Sequence, residues 1–143
     1  MIRSREPLAT AIALTAMLLT ACASGSLRAG ESRPLKDSSG KTFGTRYQLT
    51  EFTERHDIDV DGNGIPEKQY FFERDVLSKS EHFYPDGKPK VITYYLEGKP
   101  NRAEIFHPDG RLRAIAYYES KTGRLDTVDL PERKRRVEFL PQN

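Results

Sequence analysis

The chain of 143 residues has no tryptophan, two methionines, three histidines and a single cysteine. One cysteine excludes an intramolecular disulfide, so packing, strand pairing or a bound ion must hold the fold together. His56, His82 and His107 stand in unrelated contexts without the pair spacing of a zinc site, and no Gly-x-Ser-x-Gly elbow is present. No enzyme is expected from this inventory. Charge of one sign is missing too, since 23 basic and 21 acidic side chains leave a formal +2. A dedicated nucleic-acid binder would carry a one-sign surface, so nucleic acid is not an expected partner. The apolar stretch from Leu8 to Leu19 supplies about a dozen residues where a membrane span needs ~20.

That stretch follows Arg3 and Arg5 and closes on Leu19-Thr20-Ala21-Cys22. A basic start, a short apolar run and small residues at a cut site have the layout of a secretory signal peptide. The Leu-Thr-Ala-Cys ending resembles the lipobox of bacterial lipoproteins. The resemblance implies cleavage after residue 21, diacylglycerol on the Cys22 sulfur with palmitate among the acyl chains, and attachment to a membrane of the cell envelope. Ala23 stands where the family places an inner-membrane-retaining Asp, which implies the periplasmic face of the outer membrane. Without residues 1–21 the chain keeps 122 residues, 21 basic and 20 acidic side chains, and one domain of ordinary size. Residues 22–44, rich in Ser, Gly, Lys and Arg, read as a lipidated flexible tether with a reach of about 25 Å. Residues 45–143 read as the folded domain.

The domain repeats itself. Glu81-His82-Phe83-Tyr84-Pro85-Asp86-Gly87-Lys88 aligns at an offset of 23 with Glu104-Ile105-Phe106-His107-Pro108-Asp109-Gly110-Arg111, and both copies run on to a tyrosine pair, Tyr94-Tyr95 and Tyr117-Tyr118. Weaker copies place Asn63-Gly64 under Asp86-Gly87, and Pro131 to Lys134 under Pro108 to Arg111. Asp-Gly between β-rich runs supplies positive φ for a tight reversal, and second reversals fall at Glu97-Gly98 and Lys121 to Arg124. The expected strands are Thr45 to Thr53, Tyr70 to Glu73, His82 to Tyr84, Val91 to Leu96, Arg102 to His107, Leu112 to Glu119, Leu125 to Leu130 and Arg136 to Leu140. The fold class is therefore all-β: an antiparallel meander of 23-residue β-hairpin repeats, as a single sheet or one partly curled on itself.

The tandem Phe-x-Pro-Asp-Gly-basic and Tyr-x-x-Gly-Lys units resemble MORN-type variant repeats, including bacterial antitoxin-component repeats, over roughly Tyr70 to Leu130. The resemblance implies an interaction or scaffold module, or an immunity partner that neutralises a specific toxin.

An acidic loop, Asp57 to Glu67, precedes the strong repeats. Calcium takes about six to eight hard oxygens in a flexible loop, and Asp57, Asp59, Asp61, Asn63 and Glu67 offer them at mostly alternate positions with glycines between. The loop is similar to those of dockerin-like and integrin-type calcium repeats, and Ca²⁺ stabilisation of a structural module is the reading it supports. The alternative is an Asn-Gly hairpin turn with solvated acids. A ~12-residue EF-hand loop fits less well, because counting from Asp57 puts Lys68 at the closing position.

Basic residues form columns at the repeat spacing: Lys88, Arg111 and Lys134 in one, Lys90, Arg113 and Arg136 in another. Cross-strand ion pairing accounts for them, and so does a cationic rim for a partner. The candidate partner-binding residues are Tyr94, Tyr95, Tyr117, Tyr118, Arg111 and Arg113. The expected partners are the membrane, through lipidated Cys22, and another envelope protein or a polysaccharide.

Overall fold

Turn chemistry decides the topology. At Tyr84 to Lys88 and at His107 to Arg111 the glycine N–H donates to the carbonyl three residues back, at 2.9 and 2.8 Å, and the first residue's N–H donates to the carbonyl of the basic residue. The Asp86 and Asp109 carboxylates accept the backbone N–H of Lys88 and Arg111. Only the glycines take positive φ, +80° and +89°. This is a type I turn closed by a glycine bulge, wider than the two-residue reversal expected from Asp-Gly. Asp37 to Lys41 repeats the same bonding without a proline. Two-residue reversals do occur at the other ends of the strands, at Arg74-Asp75 (φ 48° and 64°) and Glu97-Gly98 (φ 50° and 76°).

A computed structural model describes residues 26–139. Ten strands follow in chain order: β1 (Ser32–Lys36), β2 (Thr42–Gln48), β3 (Thr53–Ile58), β4 (Lys68–Glu73), β5 (Val76–Phe83), β6 (Pro89–Leu96), β7 (Lys99–Phe106), β8 (Leu112–Tyr118), β9 (Leu125–Leu130) and β10 (Arg135–Glu138). Each pairs antiparallel with its neighbours in one open sheet of order β1 to β10, and a 3-10 turn at Pro131–Arg133 is the only helical piece among the described residues. The all-β antiparallel meander is thus the observed architecture, a single sheet.

Three boundaries differ most from the sequence reading, the first being β5, which runs from Val76 to Phe83 where a strand is expected over His82 to Tyr84. The segment read as a tether, 22–44, contains β1 and the start of β2. Arg33 and Leu35 alternate with exposed Ser32, Pro34 and Lys36, a half-buried edge-strand pattern on which a proline is tolerated. The expected strand Thr45 to Thr53 is broken: β2 ends at Gln48, the chain reverses, and β3 begins at Thr53. Cys22 and Ala23 lie outside the described residues.

Six of the strand pairs carry a register shift, and the extra residue always sits on the returning strand: Phe43, Ser78, Lys90, Asn101, Arg113 and Asp126. Such bulges bend a strand and increase its right-handed twist. Lys90 and Arg113, which the sequence places in one column, are both bulge residues. Ser78 and Asn101 occupy the equivalent place at the opposite ends of the strands, also 23 residues apart.

One face of the sheet is the more buried. Ser80 and Ala103 are 2% exposed, and Ala114, Ala116, Ile58, Gly44 and Gln48 are also buried. Tyr70, Tyr95 and Tyr118 stand among them on every second strand, and the Tyr95 hydroxyl lies 3.3 Å from Ser80 Oγ. Burial raises the Tyr70 and Tyr118 phenol pKa values, with nearby Tyr95 adding to the effect. Small residues on β5, β7 and β8 therefore make room for rings. Tyr84 ties one repeat to the next by donating its hydroxyl to the Phe106 carbonyl at 2.9 Å. His82 and His56 are held on this face mainly neutral. Burial lowers both pKa values, Lys68 and Lys90 lower His82 further, and Glu54 opposes the shift at His56.

Gly44 marks a close approach of β2 to β3, where a Cβ would lie 2.2 Å from the Asp57 carbonyl oxygen. Gly44→Ala must push the two strands apart, and we expect a loss of about 1–3 kcal/mol in urea denaturation; an unchanged midpoint would refute the close approach. The histidines make a second prediction. Below the ordinary imidazole value of 6.5 the unfolded chain binds protons that folded His82 and His56 refuse, so stability falls as pH drops from there toward the folded values. Denaturation midpoints between neutral and mildly acid pH should show that slope, and the His56→Gln/His82→Gln double variant should flatten it.

Candidate functional site

Paired residues of an antiparallel sheet project on the same side, so the register assigns a row of side chains to the opposite face. That row reads Tyr47, Arg55, Phe71, Lys79, Tyr94, Arg102, Tyr117 from β2 to β8. Aromatic rings and cations alternate strand by strand. The Arg55 guanidinium lies 4.6 Å from the Tyr47 ring centre, Lys79 Nζ 4.0 Å from Phe71, and the Arg102 guanidinium 5.9 Å from Tyr94. Two residues further along each odd strand, and so on the same face, stands an acid. Arg55 meets Asp57 at 2.8 Å, Lys79 meets Glu81 at 2.8 Å, and Arg102 meets Glu104 at 2.6 Å.

The unit is an aromatic on one strand followed by cation-x-acid on the next. Successive units are offset by 24 and then 23 residues: Tyr47, Phe71, Tyr94, Tyr117 and Arg55, Lys79, Arg102. The last copy is altered, with Thr127 opposite Tyr117 and Asp129 drawing Arg136 from β10 to 2.6 Å. Each half-exposed cation–aromatic contact stabilises by about 0.5–1 kcal/mol and each surface ion pair by roughly 0–1 kcal/mol. Repetition across seven strands makes a continuous strip of ring faces and clamped charges, with Tyr94, its fifth member, 36% exposed.

The sequence-derived partner residues are divided by this geometry. Tyr94 and Tyr117 belong to the ladder, whereas Tyr95 and Tyr118 lie half-buried on the other face. Arg111 sits in a hairpin turn, bound to Asp109 at 2.8 Å and to Glu132 at 3.1 Å, and so joins adjacent turns. The Arg111 backbone N–H, and then its guanidinium, hold the Asp109 carboxyl below its usual range. Arg113 is the exposed bulge residue of β8. Arg55, Lys79, Arg102, Tyr47 and Phe71 were not among the sequence candidates. Phe71 stands 23 residues before Tyr94 and Lys79 23 before Arg102, within reach of the repeat alignment, whereas Tyr47 and Arg55 precede Phe71 and Lys79 by 24, a step that an alignment at a constant 23 passes over.

The acidic loop joins β3 to β4. Carboxylate oxygens of Asp59, Asp61 and Glu67 lie within 4.8 Å of one another. Asp57 is not with them, because it belongs to β3 and pairs with Arg55. Asn63 turns its Oδ1 to the Ile65 N–H and its amide to Asp61. Asp59 accepts from Gly62, Asn63 and Gly64, and Glu67 from the Val60 N–H. The loop is therefore latched by its own backbone donors, and of the five sequence-derived ligands three converge.

No protein-family profile and no curated protein matches this chain. Among solved structures, a GtfA/B complex is similar over 81% of this chain and 22% of that one, with a TM-score of 0.57 at 14% identity. A structure of TarM overlaps with a TM-score of 0.40 at 13% identity, over 72% of this chain and 18% of that one. A point mutant of S. aureus TarM in complex with fondaparinux, alpha-GlcNAc-glycerol and UDP does so with a TM-score of 0.38 at 11% identity, over 71% and 18%. The chain thus spans about a fifth of the length of each, and the likeness to the first is one of fold.

Proposed function

We propose that this protein is a lipid-anchored, non-catalytic scaffold of the cell envelope, which offers the aromatic–cation face of its sheet to another envelope protein or a polysaccharide. The observation that carries this reading is the ladder of Tyr47, Phe71, Tyr94 and Tyr117 with interleaved Arg55, Lys79 and Arg102. Ring faces and partly exposed guanidinium groups are side chains that contribute strongly to macromolecular interfaces. Two hollows of about 300 and 400 Å³, one beside Phe52 and Arg74 and one beside Tyr47 and Asp57, stand open to solvent. An extended surface contact suits them better than an engulfed small molecule. The lipobox at Cys22 supports the anchor.

Replacing Tyr94 and Tyr117 together by alanine removes two rings from the strip without touching the buried face. The double variant should stay folded with a midpoint lowered by the loss of about 1–2 kcal/mol of ring contacts, and lose the macromolecule captured by crosslinking of intact membranes. Equal capture by both proteins would refute the reading.

A calcium-stabilised module is a second reading, favoured by the convergence of Asp59, Asp61 and Glu67. It expects Ca²⁺ to raise the melting midpoint over that in EDTA, and Asp59→Asn to abolish the difference; identical midpoints would end it.

A further inference from the structure

We infer that the edge of the sheet formed by the β2–β3, β4–β5 and β6–β7 reversals rests in the surface of the membrane that Cys22 anchors to. The inference depends on the lipid anchor proposed above. A meander places its reversals alternately at two rims, and here the rims differ in polarity. Of the eight large apolar side chains exposed among the described residues, five lie at this rim: Leu49 and Phe52, Val76, Leu96, and Phe139 just after β10. Phe52 and Leu96 are the most open of them, at 52% and 54%. These tips also touch. The Arg74 N–H donates to the Phe52 carbonyl at 2.7 Å, and Val76 packs beside Gly98. The opposite rim carries the Pro-Asp-Gly-basic turns, the Asp37 turn and the acidic loop, with Val60 and Ile65 as its exposed apolar residues.

The chain enters at the apolar rim. β1 begins there, and the preceding turn is bonded to the end of β2, with the Gly30 N–H on the Gln48 carbonyl at 2.7 Å and the Gln48 N–H on the Glu31 carbonyl at 2.9 Å. From Cys22 to Ser26, where the described residues begin, a fully extended chain spans at most about 14 Å. Arg28, whose carbonyl accepts the Glu31 N–H in that turn, is held at the rim, so the acyl chains are attached within about 22 Å of it, where a fully extended tether from Cys22 to residue 44 would span about 79 Å. The same rim carries Arg74, Lys99, Lys121 and Arg124 together with Glu51, Asp75, Glu97 and Glu119. With both signs present the attraction is apolar, and anionic lipid should add little to it.

The absence of tryptophan makes each introduced indole a sole reporter. Full-length chains carrying Phe52→Trp, Leu96→Trp or Ser38→Trp, processed in a lipoprotein-competent host and checked by intact mass, would be placed in phosphatidylcholine vesicles with brominated acyl chains, with and without phosphatidylglycerol. Ser38 lies in the β1–β2 turn, next to the strand that follows the lipidated end but on the charged rim. The expected result is a blue shift and loss of most emission in the Phe52→Trp and Leu96→Trp proteins, and neither change in Ser38→Trp. Acylated protein that floats with the vesicles while all three emit unquenched, or while all three are quenched alike, overturns the docking and leaves the anchor standing. An unacylated Cys22 in protein that does not float overturns the anchor, and the docking with it, by a separate readout.

Discussion

A sheet with no second layer must be stabilised by side chains of neighbouring strands lying along its own surfaces. Among the described residues only Ile58 and three alanines are buried apolar residues, too few for a core of the usual kind. Two devices replace it. On one face, small residues such as Ser80 and Ala103 leave space for tyrosine rings from adjacent strands. On the other, each cation is shared between a ring on the preceding strand and a carboxylate on its own. Both devices need the same residue type at the same place in every hairpin, which is the physical reason for the repeat. The six bulges serve that requirement, because their recurrence on returning strands keeps successive units in equivalent register.

This explains what the sequence disclosed and what it withheld. The meander, its pitch, and strands such as Leu125–Leu130 were legible, since Pro-Asp-Gly turns and alternating β-formers are local signals. Strand β3, with the sequence Thr-Glu-Arg-His-Asp-Ile, has almost no apolar alternation. Its Arg55 lies over the ring of Tyr47 on β2 and pairs with Asp57 on its own strand, so its stability lies in charge placement that hydropathy does not register. Arg74-Asp75 forms a two-residue reversal with no glycine, driven by the pairing of β4 with β5. β1 was hidden in a polar segment because an edge strand buries only one side chain in two.

The candidate site was legible by half. The tyrosine pairs stand out as repeats, but a pair of adjacent residues in a strand must point to opposite faces, so Tyr94 and Tyr95 cannot share a surface. The acidic loop shows the converse. Asp57 and Asp59 alternate in sequence, yet the strand ends between them. One goes to the ladder and the other to the turn.

An even number of strands has a consequence for orientation. β1 starts and β10 ends at the same rim, so both ends of the described chain emerge where Leu49, Phe52, Val76, Leu96 and Phe139 are exposed. The opposite rim is left to the hairpins that carry Asp86, Asp109 and their basic partners, where type I turns consume charged and polar side chains in bonding their own backbone. Turn type thus sets rim polarity: two-residue reversals leave flanking Val76 and Leu96 at the tip, and wider Pro-Asp-Gly turns put carboxylates and ammonium groups there. A hairpin added or lost as a whole unit preserves this arrangement, whereas loss of a single strand would move one end of the chain to the charged rim and reverse every face beyond it.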